Sequence, residues 1–189
     1  INDDEKEIMK EFFLLTSKRT IFACNVSEDE LANALDNPDG HPMVSKVKSY
    51  AHETHGADAI VISARIEEEL IDLSSEEANE FLQDMGITDS GVSTMIRSVY
   101  QLLGLSTYLT TGEKETRAWT IKSGAKAPEA AGVIHTDFER GFIAAEVLHY
   151  DDYVAFQSKS AARDAGKLRI EGKEYLVNDG DVIEFRFNV

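Results

Sequence analysis

Over the first hundred residues, short continuous apolar runs alternate with helical stripes. Ile21-Phe22-Ala23-Cys24, bounded by Arg19 and Asn25, and Ala59-Ile60-Val61-Ile62 have the length and composition of buried parallel strands. Between them, after a loop carrying Asn37-Pro38-Asp39-Gly40, Val44, Val47, Tyr50 and Ala51 fall on one helical face that ends near Gly56. Strand, helix and strand in this order make a βαβ unit. Two more helices are predicted. One runs from Ser75 to Met85, capped by Ser74 or Ser75 and stopped by Gly86; the other runs from Gly91 to Leu103, with Val92, Ile96, Val99 and Leu103 in one stripe ending at Gly104. Upstream, Ile8, Phe12 and Leu15 are spaced i, i+4, i+7, so Glu5 to Leu15 reads as helix. The chain opens with Ile1 inside that pattern, and a fragment is expected.

Beyond Gly104 the pattern changes. Thr107–Thr111 and Arg117–Lys122 read as strands of a hairpin around Gly112-Glu113-Lys114. Asp137 to Leu148 reads as a helix with Phe138, Phe142 and Ala145 on one side. Short strands are predicted at Lys167–Ile170, Glu174–Val177 and Val182–Phe187, with turns at Glu171-Gly172 and Asn178-Asp179-Gly180-Asp181. The fold class is thus α/β followed by α+β, the second part a small mixed sheet crossed by one helix.

Charge follows the same division. The 189 residues carry 19 basic and 35 acidic side chains, net −16. Residues 1–105 hold 8 basic and 21 acidic groups, and residues 106–189 hold 11 and 14. Such acidity argues against duplex DNA as a partner, and any RNA contact would have to be local. No apolar run approaches the roughly 18 residues of a membrane helix, and the acidic N-terminus does not resemble a signal peptide, so no membrane partner is expected. Cys24 is the only cysteine, which excludes an intrachain disulfide and points to a cytoplasmic protein.

In parallel α/β sheets, ligands gather beyond the carboxyl ends of the strands. Here the first strand runs into Asn25-Val26-Ser27-Glu28 and the second into Ser63-Ala64-Arg65. Nucleotide-binding domains of the GTPase type read their base with such a pair, Asn-Lys-x-Asp and Ser-Ala-Lys. A guanine reader needs the Asp carboxylate to accept from N1–H and the 2-amino group. Adenine has neither, and an Asn amide can pair with its N6 and N7. With Val26 and Glu28 in place of Lys and Asp, the site favours ATP over GTP. The competing reading is structural: Ser27-Glu28-Asp29-Glu30 is also a capping box, Ser27 at the N-cap and Glu30 three residues later.

Other candidates are weaker. His52 and His55 flank Glu53 on a predicted helix but lack a third ligand at metal spacing. His135 precedes a predicted helix, where it can pack or hydrogen-bond. Glu67-Glu68-Glu69 reads as a solvated face. Lys114, Arg117, Lys122 and Lys126 lie near Tyr108 and Trp119 around exposed-looking turns, a composition that suits RNA or a ribosomal protein. The same residues also suit an edge hairpin whose cations block strand pairing, with Trp119 in the core.

Arg117-Ala118-Trp119-Thr120, the run Ala130-Ala131-Gly132-Val133-Ile134-His135-Thr136-Asp137-Phe138-Glu139-Arg140-Gly141-Phe142, Asp179-Gly180-Asp181-Val182 and the terminal Phe185-Arg186-Phe187-Asn188-Val189 closely resemble the end of the YchF/Obg-like ATPase family, the ribosome-binding branch of the Obg-type GTP-binding proteins. Asn25-Val26-Ser27-Glu28 matches that family's altered base-recognition motif. The resemblance covers essentially the whole chain. It implies the end of an inserted helical arm at 1–20, the C-terminal part of a P-loop GTPase-like nucleotide-binding domain at 21–105, and a β-grasp TGS domain at 106–189. It further implies an intact protein that hydrolyses ATP with Mg2+ and associates with ribosomes. Asn25 would contact the adenine edge, Val26 would offer backbone groups to the exocyclic amine, and Glu28 takes the former Asp position. Ala64, with Ser63 and Arg65, would support the base through backbone N–H groups. No G-x-x-x-x-G-K-[ST] phosphate loop occurs in the 189 residues, so this polypeptide alone is not expected to hydrolyse ATP. A binding module without enzymatic activity, whose TGS part recognises RNA or a translation factor, is the alternative; a purely structural protein with a vestigial nucleotide fold is a third.

Overall fold

The computed structural model describes residues 2, 5, 8–9, 11–112 and 115–188. They form two compact units, Ile1–Leu103 and Gly104–Val189.

In the first unit, strands β1 (Phe22–Asn25) and β2 (Ala59–Ile62) pair in parallel, from Phe22 opposite Ala59 to Asn25 opposite Ile62. Helices α1 (Glu28–Asp36) and α2 (Pro42–Tyr50) make the crossover, joined by a tight turn in which Asn37 Oδ1 accepts from the Gly40 N–H at 3.1 Å. Helix α2 continues into a π-type turn, Ala51–His55, closed by Gly56 at φ 56°, a left-handed conformation that glycine adopts freely. His55 packs there against the Phe22 and Tyr50 rings, with centroids at 5.4 and 5.7 Å. Cys24, Leu31, Ala34, Val44, Val61, Ile66, Leu82 and Ile87 form the core, so both strands and the inner helix faces share one apolar layer. Burial in that layer pushes the Cys24 thiol up.

Helices α3 (Ala64–Leu70), α4 (Ser75–Asp84) and α5 (Gly91–Leu103) follow β2. Helix α4 starts on a closed capping box: Ser74 Oγ accepts from the Glu77 N–H at 3.3 Å, and Glu77 accepts from the Ser74 N–H at 2.9 Å. The Ser74 hydroxyl and then its backbone N–H hold the Glu77 carboxyl below its usual range.

One expectation for this unit is corrected, and another holds. The helix predicted over Glu5–Leu15 does not persist: residues 5, 8 and 9 are helical, but 11–13 form a turn with Phe13 at φ 50° and Leu15–Ser17 is a 3-10 turn. Ile8, Phe12 and Leu15 are all exposed, so among the described residues the stripe has no face to bury against. Helix α5 has the predicted bounds, yet none of its residues is buried.

In the second unit five strands run in the order β4-β3-β7-β5-β6. Strands β3 (Leu105–Thr111) and β4 (Thr116–Lys122) form the predicted antiparallel hairpin, with Glu113 and Lys114 of its turn outside the described residues. Strand β7 (Asp181–Phe187) meets β3 in parallel through Leu109 and Val182, and lies antiparallel to β5 (Phe142–His149), which carries β6 (Arg169–Glu171) on its other side. Helix α6 (Ala127–Ile134) packs on one face through Ala127, Ala130 and Ala131, whose small side chains allow close approach. The fully buried Tyr108 reaches it and donates to the Ala130 carbonyl at 2.9 Å; desolvation pushes that phenol up.

The helix predicted over Asp137–Leu148 is wrong. Helix α7 (Thr136–Arg140) stops at Gly141, and the next eight residues are strand. Phe142, Ala145, Val147 and Leu148 are buried; the consecutive Val147 and Leu148 lie on opposite faces, so both faces of β5 are covered there, and such a strand reads as a near-continuous apolar run. Gly141 allows the change of direction: its N–H donates to Asp137 O, Asn188 N–H donates to its carbonyl, and a Cβ there would collide with the Asn188 backbone. The predicted strand Glu174–Val177 is reduced to one bridge between Leu176 and Lys126. The sequence reading also omitted α6 and two short helices, α8 (Tyr150–Phe156) and α9 (Lys159–Asp164), so more than one helix packs on this sheet.

Glu146 on β5 is a buried carboxylate. Its Oε2 lies 2.6 Å from Lys159 Nζ and 3.1 Å from Arg163, its Oε1 pairs with Arg186, and Lys159 also pairs with Glu184. The Lys159 ammonium, and after it Arg186, hold the carboxyl down to about 2. The cluster ties α9 to the middle of the sheet.

Candidate functional site

The parallel register brings the two singled-out motifs together. Asn25 is the last residue of β1 and stands opposite Ile62, so the loop after β2 lies beside it. Asn25 Oδ1 accepts a hydrogen bond from the Ala64 N–H at 2.9 Å, and the Val26 N–H donates to the Ile62 carbonyl at 2.9 Å. Because a backbone N–H can only donate, the oxygen of the Asn25 amide must face Ala64, which leaves Nδ2 as the outward donor. Asn25 and Ala64 are exposed and Val26 is half-buried, so the loop is accessible.

Ser63 stands at the N-cap of α3. Its side chain is buried and its Oγ has no hydrogen-bond partner among the described residues. Arg65 turns away along α3 and pairs with Glu69 at 3.0 Å and Glu68 at 3.8 Å, so of this triplet only the Ala64 N–H is bound to Asn25. Glu28 is exposed in the first turn of α1.

The capping box expected at Ser27 is only half formed. Ser27 is the N-cap, but its hydroxyl donates to Glu30 Oε2 at 2.7 Å and does not accept from the helix backbone. The hydroxyl and backbone of Ser27 hold the Glu30 carboxyl below its usual range. His41 lies on the other side of that carboxylate, with Nε2 3.7 Å from Oε1 and Nδ1 accepting from the Val44 N–H at 3.3 Å at the start of α2. The sequence pointed to Glu30 as the partner of Ser27 but not to His41, although His41-Pro42 carried a signal, since proline favours the first helical position and marks the preceding residue as the cap. Glu67, read as part of a solvated acidic face, instead caps α5 by accepting from the Gly91 N–H at 2.6 Å. Nothing local in the sequence foreshadows that contact.

The cationic residues of the second unit do not converge. Arg117 and Lys122 lie on the edge strand β4, five residues apart and therefore on opposite faces. Arg117 covers the Trp119 ring at 4.2 Å, Trp119 Nε1 donates to Thr110 Oγ1 at 2.9 Å, and the ring packs against the core. Lys126 caps the start of α6 and its ammonium pairs with Glu174 at 2.6 Å, which raises its pKa. Lys114 lies outside the described residues. With Tyr108 buried and Trp119 covered, neither ring offers an open stacking face. His135 accepts from the Asp137 N–H at 3.2 Å at the start of α7, a cap's role.

A parallel βαβ unit whose adjacent strand ends join Asn25 to Ala64 defines a mixed α/β chain of the GTPase-like class, and the comparisons agree. The family described as YchF-GTPase_C, protein of unknown function (DUF933), matches residues 105–188. The chain is 50% identical over 187 residues to the Bacillus subtilis "Ribosome-binding ATPase YchF", covering 99% of this chain and 50% of that protein. It is 40% identical to the rat "Obg-like ATPase 1", covering 99% and 46%. The solved Schizosaccharomyces pombe YchF GTPase superposes with a TM-score of 0.75 at 36% identity, over 98% of this chain and 48% of that one. The chain belongs to the YchF/Obg-like ATPase family, and it spans about half the length of the curated relatives it matches.

Proposed function

We propose that the chain is the base-reading half of a cytoplasmic, ribosome-associated ATPase that binds ATP in preference to GTP. Residues 1–20 are then the end of an inserted helical arm, 21–105 the C-terminal part of the nucleotide-binding domain, and 106–189 a β-grasp TGS domain that contacts the ribosome or a partner on it. The observation that carries the adenine reading is the bond between Asn25 Oδ1 and the Ala64 N–H. With the oxygen anchored, Nδ2 faces outward to donate to adenine N7. The exocyclic N6 amine donates to the Val26 carbonyl or to the second lone pair of Oδ1. Guanine would present O6 to those same acceptors, so two lone pairs would face each other. The backbone of Ser63-Ala64-Arg65 forms the rim beside the base, and Glu28 occupies the position where a guanine reader carries its aspartate. Mg2+ and the phosphates fall to residues outside this sequence, which has no phosphate loop.

The test is a titration of the longer protein with ATP and GTP. Binding of ATP at least about tenfold tighter is expected, and equal binding would refute the reading. The isolated 189-residue chain is expected to show no ATP hydrolysis above background.

Ribosome contact by the second unit is assigned to the edge strand β4, which carries the exposed cations Arg117 and Lys122 on its two faces. Reversing both to Glu is expected to lower ribosome co-sedimentation at low salt by about tenfold, with the effect fading as salt rises. Binding insensitive to both the reversal and salt would exclude this surface.

A further inference from the structure

The loop from Asn25 to Glu28 is held differently at its two ends. Its start is fixed by the sheet, through Val26 on Ile62 and Asn25 on Ala64. Its end is fixed by a side-chain relay. The Ser27 hydroxyl donates to Glu30 Oε2 at 2.7 Å, Glu30 Oε1 faces His41 Nε2 at 3.7 Å, and His41 Nδ1 accepts from the Val44 N–H at 3.3 Å. Since Nδ1 accepts, a neutral ring carries its proton on Nε2, the nitrogen on the Glu30 side at ion-pair distance. The His41 side chain is only 14% exposed, so α2 presents it from a fixed position. One carboxylate therefore links the loop and the first turn of α1 to the start of α2.

An ordinary N-cap serine would accept from the helix backbone. Here the Glu30 N–H reaches only the Ser27 carbonyl, at 3.2 Å, and the hydroxyl is turned to the carboxylate. The serine thus orients the chain segment that carries Val26 and Glu28 rather than satisfying the helix.

We propose that Glu30, braced by His41, is a positioning residue for base recognition: it sets the Val26-Ser27 backbone against the exocyclic group of the nucleotide base. The proposal rests on the adenine reading above. It makes discrimination between ATP and GTP depend on a residue that does not touch the nucleotide.

The experiment is calorimetric titration of the longer protein with ATP and GTP for Asn25→Ala, Glu30→Ala, Glu30→Gln and His41→Ala, with thermal unfolding and kcat at saturating ATP measured beside it. Glu30→Ala is expected to weaken ATP about tenfold and to narrow the ATP-over-GTP preference, with kcat at saturation unchanged. Glu30→Gln keeps an acceptor for Ser27 and should recover most of the loss, while His41→Ala should fall between. If Asn25→Ala weakens ATP and Glu30→Ala leaves both affinities at the wild-type value, the positioning role is wrong. Unchanged ATP binding in Asn25→Ala would instead overturn the adenine reading itself. Should Glu30→Ala not fold, Ser27→Ala removes only the hydroxyl; the same loss of preference supports the role, and wild-type affinities overturn it.

Discussion

Asn25→Ala is expected to weaken ATP binding by the longer protein about a hundredfold. Two losses combine. The Nδ2 donor to adenine N7 disappears, and well-placed base contacts of this kind are worth about 1–3 kcal/mol. The Ala64 N–H also loses its acceptor; water satisfies it in the free protein, and the bound base that displaces this water leaves it unpaired, at a cost of about 1–3 kcal/mol. Ala64 is exposed, so the second loss lies at the low end, and a total of about 3 kcal/mol corresponds to roughly two decades in Kd. Asn25→Asp keeps an oxygen for Ala64 but puts a charged acceptor against adenine N7, so it is expected to weaken ATP while leaving the Ala64 N–H satisfied. An alanine variant that binds ATP within twofold of wild type would show that this amide does not read the base.

Glu146→Ala is expected to destabilise the second unit by about 2–3 kcal/mol at neutral pH. Glu146 is buried and holds Lys159, Arg163 and Arg186, and removing the shared partner of a buried charge cluster is costly. The figure is below the usual range because Arg163 and Arg186 are about half exposed and water takes them back. The acid dependence has a definite sign. The folded carboxyl titrates at about 2 and the unfolded one near 4.5, so the stabilisation is complete above the unfolded value and fades as pH falls toward 2. Wild type should approach the variant's thermal stability between about pH 4.5 and 2 and exceed it at pH 7. Equal unfolding temperatures at pH 7 would show that the cluster contributes nothing.

The first unit is more legible in the sequence than the second, for physical reasons. Two four-residue apolar runs separated by a helical stripe admit one economical arrangement, and glycines at 56, 86 and 104 mark helix ends because each adopts positive φ. In the second unit, Phe138, Phe142 and Ala145 fit a helical period, yet Phe142 and Ala145 enter the core from a strand paired on both edges. Periodicity alone cannot separate a doubly buried strand from a helix, and the deciding residue is Gly141, whose need to lie against Asn188 is a long-range fact. The same limit governs the candidate site. Asn25 and Ala64 were legible because a parallel register brings consecutive strand ends together. Glu30 was legible as the partner of Ser27 but its approach to His41 was not, since that meeting depends on how the turn at Asn37–Gly40 sets α2 against α1.

Strand β7, the last of the second unit to be synthesised, occupies the middle of its sheet between β3 and β5. The β3–β4 hairpin and the β5–β6 pair are neighbours of β7 and not of each other, so neither half is complete without residues 181–187. A nascent chain carries two open sheet edges through most of the translation of this unit, and closure then occurs in one late step of high contact order. The apolar residues Val182, Ile183 and Phe185 reach the centre only at that moment. The unit is therefore built to become cooperative all at once, and losing a few residues from β7 removes its keystone rather than its fringe.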